Sequence, residues 1–498
     1  MIRRYRGIGV FCALASTALV ASLVASGCGS TECSFTAACV GASVGGNEGG
    51  ADVVMVDGGF DAPLDPCVNT PSDPKCLDET TALFVSTKAD AASADGSRAH
   101  PYKTITAGLK AVSATRKRIY VCEGDYLENV SVQTSVSILG GLTCDWMGKG
   151  ANPRVAPAKG VALAIVKSTG VVITDVNVEG SADPQADGDS AIAVFVSSSN
   201  GVLFRRVTVK AGAGTKGAVG ADGNTSPNYS ATNAVAGATT STSTGAAAPM
   251  CGVCTDGTFS SGGKGAASGG FPTQGTAMPA VGSDNSGGTV MGNCVPGTAG
   301  AAGAAAAAAA MASTAPGALS ATGWQSGVTA QKGTNGNPAQ GGGGGGSNAS
   351  TGGGSGGCGG CGGSAGAAGG NGGSSFAVVT FESDVTIEDS ALTAAGGGSG
   401  GKGGKGQDGQ FRGPLGGGAC NGGDGGHGAG GGGGGGGAGG HSVAIAHSGK
   451  APVTAGVVLK HVMGGAAGDG GGAGASMGNP GKPGGSGAAG TAADDLPL

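Results

Sequence analysis

The pattern Val171-x-Ile173-x-x-Val176-x-Val178 recurs as Val202-x-Phe204-x-x-Val207-x-Val209, and more loosely as Val385-x-Ile387-x-x-Ser390-x-Leu392 and Val457-x-Leu459-x-x-Val462. Each copy alternates apolar and polar residues, pauses for two polar ones and resumes, as a strand does when it turns a corner. An apolar strand precedes the first three copies, at Leu163 to Val166, Ile192 to Val196 and Phe376 to Val379. Successive copies start 31, 183 and 72 residues apart. One copy cannot bury its own apolar face, so distant copies are expected to stack as coils of a solenoid and to expel the intervening segments to the surface.

Those segments have a period of their own. Glycine falls on every third residue at 214–223, at 397–409 and at 478–490. A period of three puts every third residue on one face of a polyproline II-type helix, where glycine allows close approach of a neighbouring chain. Collagen is excluded, because 113 Gly are accompanied by only 20 Pro among 498 residues. The shorter inserts fit either polyproline II-type helices or unstructured chain. The less regular stretch from Asn224 to Gly373 is expected to be unstructured. Ala304 to Ala310 reads as a short helix. With 12 % charged residues, 4 % aromatic residues and a net charge of -5, the chain has no basic field for a nucleic-acid backbone.

A structured region begins near Ala82. Leu83-Phe84-Val85-Ser86 is a short apolar strand, followed by a turn at Asp95-Gly96-Ser97. Thr104 can cap a helix whose apolar residues Ile105, Leu109 and Val112 share a face, with Arg116, Lys117 and Arg118 at its far end. Then come Tyr120-Val121, Gly124-x-Tyr126-x-Glu128 and Ile138-x-Gly140-Gly141. Together with Pro101-Tyr102-Lys103-Thr104-Ile105, these about 60 residues resemble the entry segment of bacterial right-handed parallel β-helix proteins of the pectin-lyase-like superfamily. The resemblance implies an all-β, right-handed parallel β-helix with one short N-terminal capping helix, into which the repeat spacing places the long glycine-rich insertions. It implies no particular activity. Cys122 and Cys144 bracket neighbouring strands of the expected first coils, and a disulfide between them would add about 3 kcal/mol by loop closure.

The N-terminus points to export. Arg3, Arg4 and Arg6 precede an uncharged stretch from Gly7 to Gly27 that ends in Ala25-Ser26-Gly27-Cys28. Small residues directly before a cysteine resemble the lipobox of bacterial lipoproteins, which implies lipidation at Cys28, a signal peptide over 1–27 and a membrane partner reached through the lipid. In that family Gly29, rather than Asp, favours the outer membrane or cell surface. An uncleaved anchor helix is the alternative.

The cysteines agree with an oxidising compartment. Fourteen are present, and removing Cys12 with the signal and Cys28 by lipidation leaves an even number for disulfides. Cys33, Cys39, Cys67 and Cys76 lie in a Pro/Gly/Asp-rich stretch, so 28–80 reads as a tether with small disulfide loops. Cys251-x-x-Cys254 and Cys358-x-x-Cys361 have the spacing of zinc ligands. Exported thiols oxidise, however, and neither a metal nor any other cofactor is expected.

The remaining organisation is coils at 81–212, 375–395 and 442–464, separated by insertions at 213–374 and 396–441 and followed by a glycine-rich tail at 465–498. Repeat alignment places Asp175, Arg206, Asp389 and His461 in one row, beside Thr174, Arg205, Glu388 and Lys460. Enzymes of the resembled superfamily work from such rows, which makes Asp175, Arg206 and Asp389 the candidate catalytic residues. A row of compensated surface charge is the simpler expectation. Asp183, Asp187 and Asp189 fall in a turn with Pro184 and Gly188, where Asp is common. The expected function is a non-enzymatic surface lipoprotein displaying glycine-rich loops in an adhesive, shielding or structural role, with polysaccharide or other surface components as partners. The alternative is a polysaccharide lyase or glycoside hydrolase on the same fold.

Overall fold

The computed structural model describes residues 65–223, 233–278, 295–305 and 309–498. It is all-β, with three long parallel sheets and one short α-helix among the described residues, an architecture consistent with a parallel β-helix. The first sheet runs in the order Ala82–Val85, Arg118–Cys122, Ser137–Leu142, Thr169–Thr174, Asn200–Arg205, Val385–Glu388 and Val453–Ala455. The second runs Val130–Val132, Leu163–Val166, Ala191–Ser197, Ser375–Phe381, Ser442–Ser448 and Ala492–Pro497. The third runs Asp125–Tyr126, Arg154–Val155, Asn177–Gly180, Thr208–Ala211, Ala391–Ala394 and Val458–Lys460. From Val130 to Lys460 the chain visits second, first and third sheets in turn, adding one strand to each in every circuit.

Residues far apart in sequence therefore stack directly. Val202 pairs with Val171 on one side and with Val385 on the other, and Phe204 pairs likewise with Ile173 and Ile387. Their side chains enter one apolar core that also holds Ile138, Val178, Val194, Val209, Val378, Leu392 and Ile445. The corners explain the two-residue pause. Asp175, Arg206 and Asp389 end successive first-sheet strands with φ of 55°, 51° and 47°, and Gly456 continues the row at 63°. At the corner between the second and first sheets the left-handed residues are Lys167, Ser198 and Glu382. Each is followed by a buried serine, and the Ser168 amide donates to Ser199 Oγ and the Ser199 amide to Ser383 Oγ, both at 3.1 Å. Backbone groups freed by the corner are thus satisfied from coil to coil.

The helix is Ile105–Lys110, with Thr104 as its N-cap accepting from the Ala107 amide at 3.1 Å. Glu128 adds a second cap, its carboxylate accepting from the Ile105 and Thr106 amides. Arg116, Lys117 and Arg118 do not extend its end. Arg116 donates to the Ala82 and Gly96 carbonyls, while Arg118 opens a strand and pairs with Asp65. From Lys117 on the backbone is claimed by the first sheet, which outweighs a weak dipole interaction.

Two pieces cover the outer faces. The Cys67–Cys76 disulfide loop, expected to belong to a tether, packs Cys67, Val68, Cys76 and Leu77 against Phe84, Tyr120, Leu139 and Leu203 of the first sheet. Tyr120 donates its hydroxyl to the Cys76 carbonyl at 2.9 Å, and burial pushes its pKa well up. Cys122 and Cys144 are disulfide-bonded at the same edge, with Cα atoms 4.9 Å apart. On the second sheet, the hairpin Gly317–Ser320 and Gly323–Ser326 lays Leu319 and Trp324 over Phe195, Phe376 and Val443. Trp324 meets Phe376 and His441 edge-on at 4.9 and 5.6 Å.

Candidate functional site

The fourth repeat copy is out of register with its expected alignment. Val453–Ala455 pairs with 386–388, and Leu459 pairs with Leu392. Gly456, not His461, therefore continues the row of Asp175, Arg206 and Asp389, because the left-handed corner falls on the glycine. His461 lies elsewhere, 3.0 Å from Asp494, and Lys460 belongs to the third sheet.

The rest of the row is brought together and occupied. Arg206 donates Nε and Nη2 to the two carboxylate oxygens of Asp175 at 2.9 and 2.7 Å, an arrangement that raises the guanidinium pKa further. The same Nη2 reaches Thr174 Oγ1 and the Val68 carbonyl, both at 2.9 Å. Arg205 pairs with Glu388 at 3.4 Å and Asp389 at 3.8 Å, and donates to Asn69. Val68 and Asn69 belong to the Cys67–Cys76 loop, so each arginine gives one donor nitrogen to seating it. With Nε and Nη2 of Arg206 taken up by Asp175, Thr174 and Val68, the pair is a docking contact that ties the row to the loop.

The glycine-rich excursions form the larger surface. All three long ones leave at the end of a third-sheet strand and return at the start of a second-sheet strand, so they emerge side by side from one corner. Outgoing chains are hydrogen-bonded in parallel at every third residue: Gly217 and Gly220 donate to Ser399 and Lys402, and Gly400 and Gly403 donate to Ala466 and Asp469. Returning chains run antiparallel to them, with Gly398, Gly401 and Gly404 donating to Gly373, Gly370 and Ala367. None of these donor glycines has a positive φ, and three residues per repeat is the period of polyproline II. The stretch expected to be unstructured, 224–373, carries the same ladder through its described residues, as in Gly342 to Gly357 and Gly363 to Ala429. Its glycine phase is irregular in sequence because its chains turn often and meet neighbours on several sides. Of Ala304 to Ala310, the described residues are not helical.

Position in the bundle dictates composition. In the outer chain 397–409 two residues of three donate to neighbours, and the third, Ser399, Lys402, Lys405 and Asp408, points outward. In the inner chain every residue from Gly430 to Gly437 donates its N–H to another segment, and Gly431 to Gly437 are all buried. A chain enclosed on all sides has no outward position. The eight-glycine run from Gly430 to Gly437 is the result.

Two disulfides clamp the bundle. Cys251–Cys358 and Cys254–Cys361 join the two C-x-x-C pairs in parallel, with Cα atoms 5.7 and 5.8 Å apart, which replaces the zinc arrangement their spacing allows. Among the described residues no group of three or more His, Cys, Asp or Glu is placed to hold a metal. His427 stands edge-on to Phe411 at 5.8 Å, and burial, aided by Arg412, lowers its pKa. Large apolar side chains remain in water around the bundle, among them Met250 at 94 % and Phe271 at 84 % exposure.

Repeat spacing and composition do not reveal the Cys67–Cys76 docking contact or the C-x-x-C pairing. The G-G-x and G-G-G triplets do carry the outer and inner chain positions. The N-terminal segment with Cys28 lies outside the described residues, and among those described no helix is long and apolar enough to cross a membrane. Comparison with protein-family models, with curated proteins and with solved structures found no match.

Proposed function

We propose that this chain is an exported bacterial lipoprotein, anchored through Cys28, in which a right-handed parallel β-helix holds a glycine bundle at the outer membrane or cell surface. Its role is adhesive, shielding or structural, and it has no enzymatic activity. The observation that carries this reading is the bundle itself. A substantial part of the chain goes into a hydrogen-bonded, doubly disulfide-clamped body that presents short side chains and isolated apolar residues such as Met250 and Phe271. A hydrogen-bonded glycine lattice has few side chains with which to do chemistry, yet it offers a rigid face to a polysaccharide or another surface component. The charged row supports the same reading, since each of its arginines donates to the Cys67–Cys76 loop.

The anchor is tested by Cys28→Ser, which should leave an uncleaved precursor or release the protein from the membrane fraction. Unchanged fractionation with a normally processed N-terminus would remove the lipoprotein reading. The role is tested by screening a soluble form that begins at Gly58, upstream of the Cys67–Cys76 loop, against acidic and neutral polysaccharides, with binding and cleavage measured separately. Binding without cleavage is expected. Cleavage would favour a lyase or hydrolase instead.

A further inference from the structure

One inward-facing column of the second sheet changes character along the stack. By register it consists of Val132, Ile165, Val196, Thr380, His447 and Pro497. The first three belong to the apolar core. Thr380 is fully buried and His447 is 9 % exposed, yet Thr380 Oγ1 and His447 Nδ1 both lack a hydrogen-bond partner. A second column on the same strands, Ala191, Ser375 and Ser442, turns polar at the same level, and Ser375 Oγ is also without a partner. Three of the five such atoms among the described residues thus lie on two adjacent strands. Buried polar groups are seldom left unpaired, and a cluster of them marks a place where something else supplies the bond.

The geometry limits what that can be. Neighbouring parallel strands are about 4.8 Å apart, and a single oxygen bridges such a gap with two bonds of about 2.8 Å. His447 Nε2 faces Asp495 Oδ1 at 3.4 Å on the edge strand Ala492–Pro497. A carboxylate only accepts, so in the neutral imidazole this contact selects the Nε2–H tautomer and leaves Nδ1 an acceptor. The bridging group must therefore donate to Nδ1 while accepting from, or donating to, a hydroxyl. Two neutral donor atoms are too few for a metal ion.

We propose that Thr380 and His447 form an internal site for one small hydroxylic ligand, water in the aqueous protein. The site completes a polar file from Asp495, in contact with His447 Nε2, through His447 and the ligand to Thr380. Its consequence is mechanical: the file fastens the edge strand Ala492–Pro497 to the interior of the preceding two coils. Because Asp495 is half exposed and its strand is an edge, the site exchanges with solvent when that strand opens.

The mature protein, labelled with 15N at its five histidines, tests this directly. Long-range proton–nitrogen correlation should show His447 as the Nε2–H form with Nδ1 shifted as a hydrogen-bonded acceptor. Thr380→Val copies the valine of the preceding coil and removes the hydroxyl. It should move Nδ1 towards the free-acceptor value and speed amide exchange at Asp495 and Leu496 about tenfold, relative to Thr386 and Ile387 as internal controls. Thr380→Ser should restore both. A wild-type Nδ1 that is protonated or at the free-acceptor value overturns the proposal, and so does a Thr380→Val protein whose edge strand exchanges at the wild-type rate or slower. The wild-type nitrogen shift requires no variant, so the outcome does not depend on the substituted protein folding.

Discussion

Gly434 lies in the middle of the enclosed glycine chain, and its replacement by alanine isolates what that enclosure requires. A Cβ built on Gly434 falls against the Ala367 carbonyl, 2.5 Å from its carbon, where non-bonded carbons sit at about 3.5–4.0 Å. The partner is backbone and has no rotamer to yield, so one chain must move by about 1 Å. Three ladder bonds meet at this point: Gly434 to Gly404 at 2.9 Å, Gly404 to Ala367 at 2.8 Å and Gly471 to Gly434 at 2.8 Å. Stretching each by that amount removes most of its net contribution, about 1 kcal/mol apiece, so Gly434→Ala should cost about 3 kcal/mol. That lies at the upper end for overpacking. At about 2.1 cal/mol/K per residue, the unit Gly58–Leu498 has an unfolding entropy near 0.9 kcal/mol/K, and Tm should fall by about 3 °C. Gly472 is the matched control, since its Cβ would meet only the Lys405 side chain at 3.7 Å. Gly472→Ala should melt within about 0.5 °C of wild type, consistent with an exposed site. Calorimetry on the three proteins checks both values. Equal melting of the two variants would refute the enclosed-chain argument, whatever the absolute shift.

Other expectations follow from the docking contacts, the clamps and the buried histidines. Arg206→Met should leave Asp175, whose side chain is only 15 % exposed, without its bidentate partner, costing about 2–3 kcal/mol, and should make the 65–77 loop cleavable in limited proteolysis without changing polysaccharide binding. Each clamp disulfide closes a 107-residue loop alone but only a ring of about eight residues when the other is present. In the chain-entropy model, losing one by Cys-to-Ser replacement of both its partners should cost about 2–3 kcal/mol and losing both about 7, a non-additivity that denaturant titration can read. His441 and His427 have pKa values lowered chiefly by burial, so as pH falls below about 6.5 the unfolded chain binds more protons than the folded one and stability declines. Substituting His441 with Asn, which can still accept from the Thr491 amide, should flatten the loss of Tm between pH 7.5 and 5. An unchanged slope would assign it to other groups.

The coils were legible because their signal is local and doubled. Val202 and Phe204 reappear as Val385 and Ile387 at the same spacing of two, and that spacing is the pleat of a strand buried on its inner face. The fourth copy misled for a physical reason. Val457 and Leu459 match the spacing, but they belong to the part of the coil after the corner, and the corner itself is Gly456 rather than a charged residue. The last strand, Ala492–Pro497, escaped because Asp494, Asp495 and Pro497 are edge-strand residues that break the apolar alternation. Cys122 and Cys144 were legible as a pair through the expected coils. The 251–358 and 254–361 pairing was not, since it depends on which two of many similar chains lie side by side. The charged row was placed correctly for three members, while its partner, the 65–77 loop, left no pattern that points to it.

A ladder that repeats every three residues cannot tell one triplet from the next. Sliding a G-G-x chain by three residues past its neighbour re-forms the same bonds except at the ends, much as a featureless strand is prone to slip. The shared corner removes that degeneracy. Each excursion is held at both ends by strands whose pairing is fixed, Ala191 on Ser375 and Ser375 on Ser442, so the coils act as the origin from which every triplet is counted. Insertions and deletions are then unequal in effect. Three residues gained or lost within an outer chain lengthen or shorten its far turn and leave the faces intact, whereas a change of one residue rotates Lys402 and Lys405 towards backbone that only glycine can approach. Lengths of homologous excursions, compared with one another, should therefore differ by multiples of three.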